Sequence, residues 1–121
     1  MVEGTLISES LREGTSLNDL RLVIRKLSRW AISDATASQP KVWTIIEFAA
    51  DAVDPDKLAE QFAGALDMPG WYADFHTPET NYVIFPGKIV RYPRGDAAGR
   101  AEAIAHAKSA GVPDTQLDWG E

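Results

Sequence analysis

The chain contains no cysteine, which excludes disulfides, thiolate zinc sites and cysteine nucleophiles and fits a reducing compartment. It also has no apolar run near the roughly 20 residues that cross a bilayer, so we expect no membrane association. The first residues, MVEGTLISES, show neither the basic nor the apolar segment of a secretion signal. These absences together predict a cytoplasmic protein.

Positive charge is also scarce. The chain has 12 Lys and Arg against 18 Asp and Glu, a net charge of −6 at pH 7. Nucleic-acid binding favours clustered cations, because they neutralise phosphates. The local basic excess is RLVIRKLSR, residues 21–29, and its alternating spacing is typical of the solvated face of an outer strand. We therefore predict no nucleic-acid partner.

Known metal and catalytic motifs are absent as well. His76 and His106 are far apart in the chain, and Asp51, Asp54 and Asp56 lack the glycine and distal glutamate of a calcium loop. No serine has the GxSxG context of a nucleophile elbow, and there is no phosphate-binding glycine motif. We predict neither a metal nor a cofactor.

What is present resembles an ordinary soluble domain. The 121 residues are 45% hydrophobic and 25% charged, which suits one domain over residues 1–121. Alternating and β-branched segments predict strands, and two segments with helical spacing and end signals predict helices. The strands are expected at residues 4–11, 20–30, 41–51, 71–76, 80–85 and 88–92, with helices after Asp54 and at residues 97–110.

This order, β β β α β β β α, predicts an α+β domain: an antiparallel sheet of about six strands with two helices packed on one face. Asp54 and Pro55 are a good N-cap and first residue for the first helix, which Pro69-Gly70 ends. Asp96 and Gly111 delimit the second helix. The first two strands are expected to form a hairpin.

Residues 70–96, GWYADFHTPETNYVIFPGKIVRYPRGD, hold six of the eleven aromatic residues. Two tight hairpins are predicted, around residues 77–79 and around Pro86-Gly87. Counting outward from these turns places Asp74 opposite Tyr82, and Tyr82 opposite Arg91. A slip of one residue at either turn would move these side chains to opposite faces.

This register predicts a polar row on a sheet face that the helices leave open. A carboxylate, an imidazole, a phenol and a guanidinium in one row could bind a polar or anionic ligand, and His76 with Asp74 could transfer protons. The same pairs could equally be structural, since each cross-strand pair contributes about 0.2–1 kcal/mol. The candidate ligand-binding residues are Tyr72, Asp74, His76, Tyr82 and Arg91.

The same face carries apolar side chains that a monomer seldom leaves exposed. A symmetric dimer that packs sheet against sheet would cover them, and the chain's last residues could cover part of the face instead. Leu117 and Trp119 indicate that this tail docks on the domain. The apolar residues of the face are Trp43, Ile45, Tyr72, Ile84 and Ile89.

The segments PGWYADF, FPGKIVRYPRGD and GVPDTQLDW resemble a group of small bacterial proteins that share a WYxDF strand, a short hairpin and a closing G[VI]PxxQLD[WF] motif. The resemblance covers residues 42–119. It implies that the tail belongs to the fold, and it supplies no catalytic residue, because no activity is established for the group. The matching residues are Trp71, Tyr72, Asp74, Phe75, Gln116, Leu117, Asp118 and Trp119.

For function, the sequence favours a non-enzymatic binding or dimerising module that acts through the open sheet face. We expect a homodimer, with a protein partner or a small polar ligand at that face. The alternative is a small enzyme or ligand sensor that uses Asp74, His76, Tyr82 and Arg91. The sequence leaves open whether the protein is an enzyme.

Overall fold

The structure is a computed structural model that describes residues 1–120. Two short 3₁₀ turns, Ser8–Ser10 and Asp114–Gln116, accompany the regular elements. Within the described residues no helix is both long and apolar enough to cross a membrane. The strands and helices are β1 (Val2–Ile7), β2 (Val23–Ala31), β3 (Val42–Ala50), α1 (Pro55–Ala65), β4 (Ala73–His76), β5 (Thr80–Phe85), β6 (Lys88–Pro93) and α2 (Ala97–Ser109).

The six strands form one antiparallel sheet in the order β2-β3-β1-β4-β5-β6. The α+β class, the number of strands and the order of elements are therefore confirmed. The predicted hairpin of β1 with β2 is wrong, because β1 lies between β3 and β4 while β2 pairs with β3 alone. Central strands need residues that suit burial, as Val2 and Leu6 of β1 do. The charged β2 suits an edge.

The first helix begins as its sequence indicates. The Asp54 carboxylate accepts hydrogen bonds from the backbone amides of Asp56 and Lys57, and Pro55 occupies the first turn. Leu58 and Phe62 are fully buried against the sheet. The apolar side of this helix is therefore anchored in the core by residues of its first and middle turns.

The second helix relies on small residues for close packing. A Cβ added at Gly99 would clash with the ring of Tyr92, so only glycine permits this approach of α2 to β6. Ala103 and Ala107 are completely buried. The helix ends at Ser109, and the chain turns away at Gly111, whose φ of +88° suits glycine, while the amide of Val112 bonds back to the last turn.

The two helices lie on opposite faces of the sheet, which corrects the prediction of one shared face. Alternate residues of β5 show this most directly. Tyr82 and Ile84 pack in one apolar cluster with Phe62 of α1. Val83 and Phe85 pack in a second cluster, which includes the buried alanines of α2. Both faces of β5 are therefore core, and no open face exists there.

The two hairpins differ in how well their registers were predicted. Around Pro86-Gly87, the pairing of Tyr82 with Arg91 is confirmed. Around residues 77–79 the register is displaced by one residue, so that Tyr82 pairs with Phe75 rather than with Asp74. The Thr77 hydroxyl accepts the amides of Glu79 and Thr80, which builds a loop one residue longer than predicted.

The tail docks on the domain, as predicted. Trp119 is buried, and its indole donates to the Tyr92 hydroxyl at 2.8 Å. Arg100 of α2 donates to the backbone oxygens of Trp119 and Gly120, and its guanidinium lies 5.2 Å from the Trp119 ring centroid. The tail is thus fixed over the α2 side of the sheet.

Candidate functional site

The structure divides the predicted polar row between two faces. Tyr82 and Arg91 point to the α1 side, where both donate to the Asp56 carboxylate in the first turn of the helix. The hydrogen bond from Arg91, and to a smaller extent the one from Tyr82, hold the pKa of Asp56 below its usual value. Every polar group in this cluster has a partner, and Arg91 and Asp56 are largely exposed. The cluster therefore serves as a contact between helix and sheet.

His76 is on the α2 side but stands apart from Asp74. Its Nε2 lies 3.6 Å from a carboxylate oxygen of Glu3 on β1. Burial and the nearby Arg94 lower the pKa of His76, although Glu3 acts in the opposite direction. His76 does not line the cavity described next, so its imidazole and the Asp74 carboxyl do not form a proton-transfer pair.

Tyr72 and Asp74 line a cavity of about 390 Å³ on the α2 side of the sheet. Its floor is formed by β1, β3 and β4, at the part of the sheet next to the region that α2 covers. Thr5 and Ile45 lie on this floor, and Thr5 is beside Asp74 because the two are cross-strand partners. The remaining walls come from the tail and from the loop at residues 32–41.

Aromatic rings form much of the cavity wall. Trp43 on β3 contacts Trp71 with ring centroids 5.1 Å apart. Tyr72 meets Trp119 of the tail edge-to-face at 5.2 Å. Each ring is held by a neighbour, and the Trp43 indole also donates to the Pro40 carbonyl at 2.8 Å. The cavity is thus bounded by rings of fixed orientation.

Two buried glutamines join the loop to the tail above the cavity. The side-chain amide of Gln39 donates to that of Gln116 at 3.3 Å, and Gln116 donates back at 3.0 Å. Gln116 also donates to the backbone oxygen of Asp34, whose carboxylate accepts the Thr115 hydroxyl at 2.6 Å. This network gives the cavity a roof that depends on segments distant in sequence.

The Tyr72 hydroxyl connects the strand to the tail inside the cavity. It lies 2.5 Å from the Gln116 carbonyl oxygen and 2.9 Å from a carboxylate oxygen of Asp118. Burial, reinforced by the negative charges of Asp118 and Asp74, raises the pKa of Tyr72 well above its usual value. The phenol therefore keeps its proton and acts as a hydrogen-bond donor.

Asp74 is the chemically unusual residue of the site. Protein surrounds its carboxyl group on most sides, and the remaining side opens into the cavity. Within residues 1–120 no hydrogen bond stabilises the carboxylate. Burial, and then the charge of Asp118, raise the pKa of Asp74 to about 7. A carboxyl group that has no partner and opens into a cavity is a group to which a ligand can bind.

Of the five candidate ligand-binding residues, the structure places only Tyr72 and Asp74 in this cavity. Sequence reasoning did not assign Asp34, Gln39 or Asp118 to a site. For Asp118 a signal existed, because the tail motif QLDW was already expected to dock. For Gln39 there was none, since its partner Gln116 is 77 positions away and neither lies in a regular strand or helix.

No family model, curated protein or solved structure matches the chain. The resemblance to small bacterial proteins with a WYxDF strand accordingly stays a prediction. The residues that carry it do meet in space, since Tyr72 and Asp74 line the same cavity as Gln116, Asp118 and Trp119.

Proposed function

We propose that the protein is a small-ligand-binding module without enzymatic activity, and that its site is the cavity over β1, β3 and β4. The observation that carries this proposal is the Asp74 carboxyl group, which is partly buried, has no hydrogen-bond partner within residues 1–120 and faces a ring-lined cavity. Among the described residues no fully buried side-chain oxygen lacks a partner, so the unpaired Asp74 oxygens are accessible from the cavity and free to accept from a ligand. A cavity of about 390 Å³ is within the usual range for small-molecule sites.

The cavity favours binding over catalysis because most of its polar groups are occupied by other parts of the protein. The Tyr72 hydroxyl, the Asp34 carboxylate and both glutamine amides already bond to other parts of the protein. The His76 imidazole lies outside the cavity. The phenol and carboxylate next to Asp74, from Tyr72 and Asp118, bond to each other, and no histidine, lysine or cysteine of the described residues lines the cavity. Asp74 is therefore poorly equipped for proton or group transfer.

The tryptophan indoles provide a direct test. Trp43, Trp71 and Trp119 line the cavity, whereas Trp30 on β2 does not. A library of small cationic, neutral and anionic fragments would be screened against the ¹⁵N-labelled protein by NMR. We expect some fragments to shift the three cavity indole signals while leaving that of Trp30 unchanged. The variant Ile45→Trp, which fills the cavity, should lose these shifts while remaining folded.

The proposal is wrong if no fragment of any charge shifts the cavity indoles. It is also wrong if the same shifts persist in Ile45→Trp. A cytoplasmic location is proposed alongside this function, and the absence of cysteine supports it.

A second candidate function, self-association, is supported by the exposed edge of the sheet. Val23, Ile24, Leu27 and Trp30 of β2 are each more than half exposed, and one edge of β2 has no paired strand among the described residues. Such an edge can pair with another strand. We propose that a second copy pairs there through its own β2.

Charge does not oppose this pairing strongly. Arg25 lies 3.4 Å from Glu3, and Lys26 lies 4.0 Å from Glu47, so both cations already have anionic neighbours. The test is sedimentation equilibrium of the wild type and of Leu27→Lys, with Met68→Lys as a matched control, since Met68 is also exposed but lies outside the sheet. We expect a dimer that only Leu27→Lys dissociates. A monomeric wild type would contradict the proposal.

A further inference from the structure

We infer that the cavity takes a small organic cation with an apolar body, an inference that rests on the proposed binding function. The ionisable side chains that line the cavity are three carboxyl groups, from Asp34, Asp74 and Asp118, together with the Tyr72 phenol. Within the described residues no lysine, arginine or histidine lines it. Its interior potential is therefore negative, which repels anions and attracts cations.

The aromatic walls favour a cation of a particular kind. The face of an aromatic ring carries negative electrostatic potential, and tryptophan binds cations most strongly of the aromatic side chains. Three tryptophans, Trp43, Trp71 and Trp119, line the cavity together with Tyr72. Trp119 already contacts one cation, the Arg100 guanidinium at 5.2 Å from its ring centroid. An alkylammonium group with apolar substituents would contact the rings and the carboxyl groups at once.

A metal ion fits the cavity less well. Calcium and magnesium require six or more oxygen ligands around one point. Within residues 1–120 no group of three His, Cys, Asp or Glu side chains is placed to hold a metal ion. The Asp34 carboxylate is directed to Thr115, and the Asp118 carboxylate to Tyr72. The carboxyl groups thus make the cavity negatively charged, but they do not converge on one point as the ligands of a metal ion must.

Asp74 identifies where the positive group would lie. Its charge is disfavoured by burial and by Asp118, and a bound cation would offset both effects. The groups that face Asp74 are Thr5 from β1, Tyr72 from its own strand segment and Asp118 from the tail. Arg100, which contacts the Trp119 ring from outside the cavity lining, donates to the tail backbone. Binding should therefore strengthen as Asp74 loses its proton.

Three probes of the same shape but different charge test the ligand class: choline, its neutral analogue 3,3-dimethylbutan-1-ol, and the anion 3,3-dimethylbutanoate. Affinities would be measured by titration of the cavity indole signals at about pH 8 and low salt, where charge effects are least screened. We expect choline to bind at least about tenfold more tightly than the neutral analogue, which corresponds to about 1.4 kcal/mol. The anion should bind weakest.

Two variants test whether the preference for choline over the neutral analogue depends on Asp74. Asp74→Asn should abolish most of the preference for choline, whereas Asp56→Asn, a matched change on the other face of the sheet, should leave it intact. For the wild type, choline affinity should fall as the pH is lowered from about 8 to about 5. Should Asp74→Asn fail to fold, Asp118→Asn is the second variant, and it should reduce the preference for choline in the same direction.

The outcomes distinguish failure of the cation inference from failure of the proposed binding function. If the neutral or anionic probe binds as tightly as choline, or if Asp74→Asn and Asp118→Asn both keep the preference, the cation inference is wrong while the binding function stands. If none of the probes and none of the fragments perturbs the cavity indoles, the proposed function itself is wrong.

Discussion

The ring of Phe75 stacks on the ring of Tyr82, with centroids 4.7 Å apart and planes inclined by 25°. The two residues are direct cross-strand partners in β4 and β5. Because successive side chains of a strand alternate between faces, this stack sends Asp74 to the opposite side. Tyr82 and Arg91 therefore meet α1, whereas Asp74 meets the tail. One pair of rings thus separates a structural ion pair from a candidate ligand site.

Replacing Asp74 with asparagine should change how stability depends on pH. Burial raises the pKa of Asp74 from 3.8 to about 7. The native state then keeps this proton to a higher pH than the unfolded chain does, so the free energy of unfolding falls between about pH 4 and pH 7. The fall attributable to Asp74 is on the order of a few kcal/mol. The Asp74→Asn variant has no such carboxyl group, so its free energy of unfolding should not fall in this way and should exceed that of the wild type at pH 8.

Urea denaturation at intervals from about pH 4 to pH 8 measures this effect. Asp56→Asn is the control of opposite sign, because the pKa of Asp56 is lowered in the fold. In the wild type, the stabilisation from Asp56 is present at neutral pH and is lost as the pH falls through its native pKa. A variant Asp74→Asn whose stability follows the wild-type pH profile would show that Asp74 titrates normally.

Gly4 should tolerate no side chain. It lies on β1 between Phe48 and Phe75, and an added Cβ would overlap the backbone oxygen of Asp74 and the Cβ of Phe75. Neither atom can move without shifting β4, so we expect Gly4→Ala to cost about 3 kcal/mol of unfolding free energy. Thermal or urea unfolding measures the loss.

Gly64 is the matched control for this change. It lies in α1, and an added Cβ meets no atom within 4 Å. Gly64→Ala should stabilise the protein by about 0.5–1 kcal/mol, because alanine loses less backbone entropy in a helix. Equal destabilisation by the two changes would contradict the close contact of β1 with β4.

The glutamine pair should show energetic coupling. Gln39 and Gln116 are both buried and exchange two side-chain hydrogen bonds. Removal of either side chain leaves buried polar groups unpaired, so Gln116→Ala should cost about 2–3 kcal/mol. A double-mutant cycle by urea denaturation should give a coupling energy of about 1 kcal/mol or more. Additive single changes would mean that the loop and the tail are held independently.

Changes on the α1 side of the sheet should not affect the cavity. Arg91 is largely exposed, and its ion pair with Asp56 is open to solvent, so its loss should alter stability only slightly. Arg91→Ala should bind every probe that shifts the cavity indoles with unchanged affinity. Indole titrations of wild type and variant compare the two directly. A marked loss of affinity in Arg91→Ala would restore the predicted row as one site.

The sequence determined the elements of this fold and much of their local geometry. The cap at Asp54, the end at Gly111 and the β5–β6 register follow from residues within a few positions of one another, where local chemistry suffices. The docking of Trp119 was also evident, since a large apolar side chain in a polar tail needs cover.

Tertiary structure decided the faces and the site. A single additional loop residue, held by the Thr77 hydroxyl, reversed the relation of Asp74 to Tyr82. Which register forms depends on the side chains that the whole sheet buries, and local composition does not show this. The insertion of β1 between β3 and β4 depends on burial over the whole sheet. The cavity arises where loop and tail meet across 77 positions, since Gln39 and Gln116 find each other only after the sheet has formed.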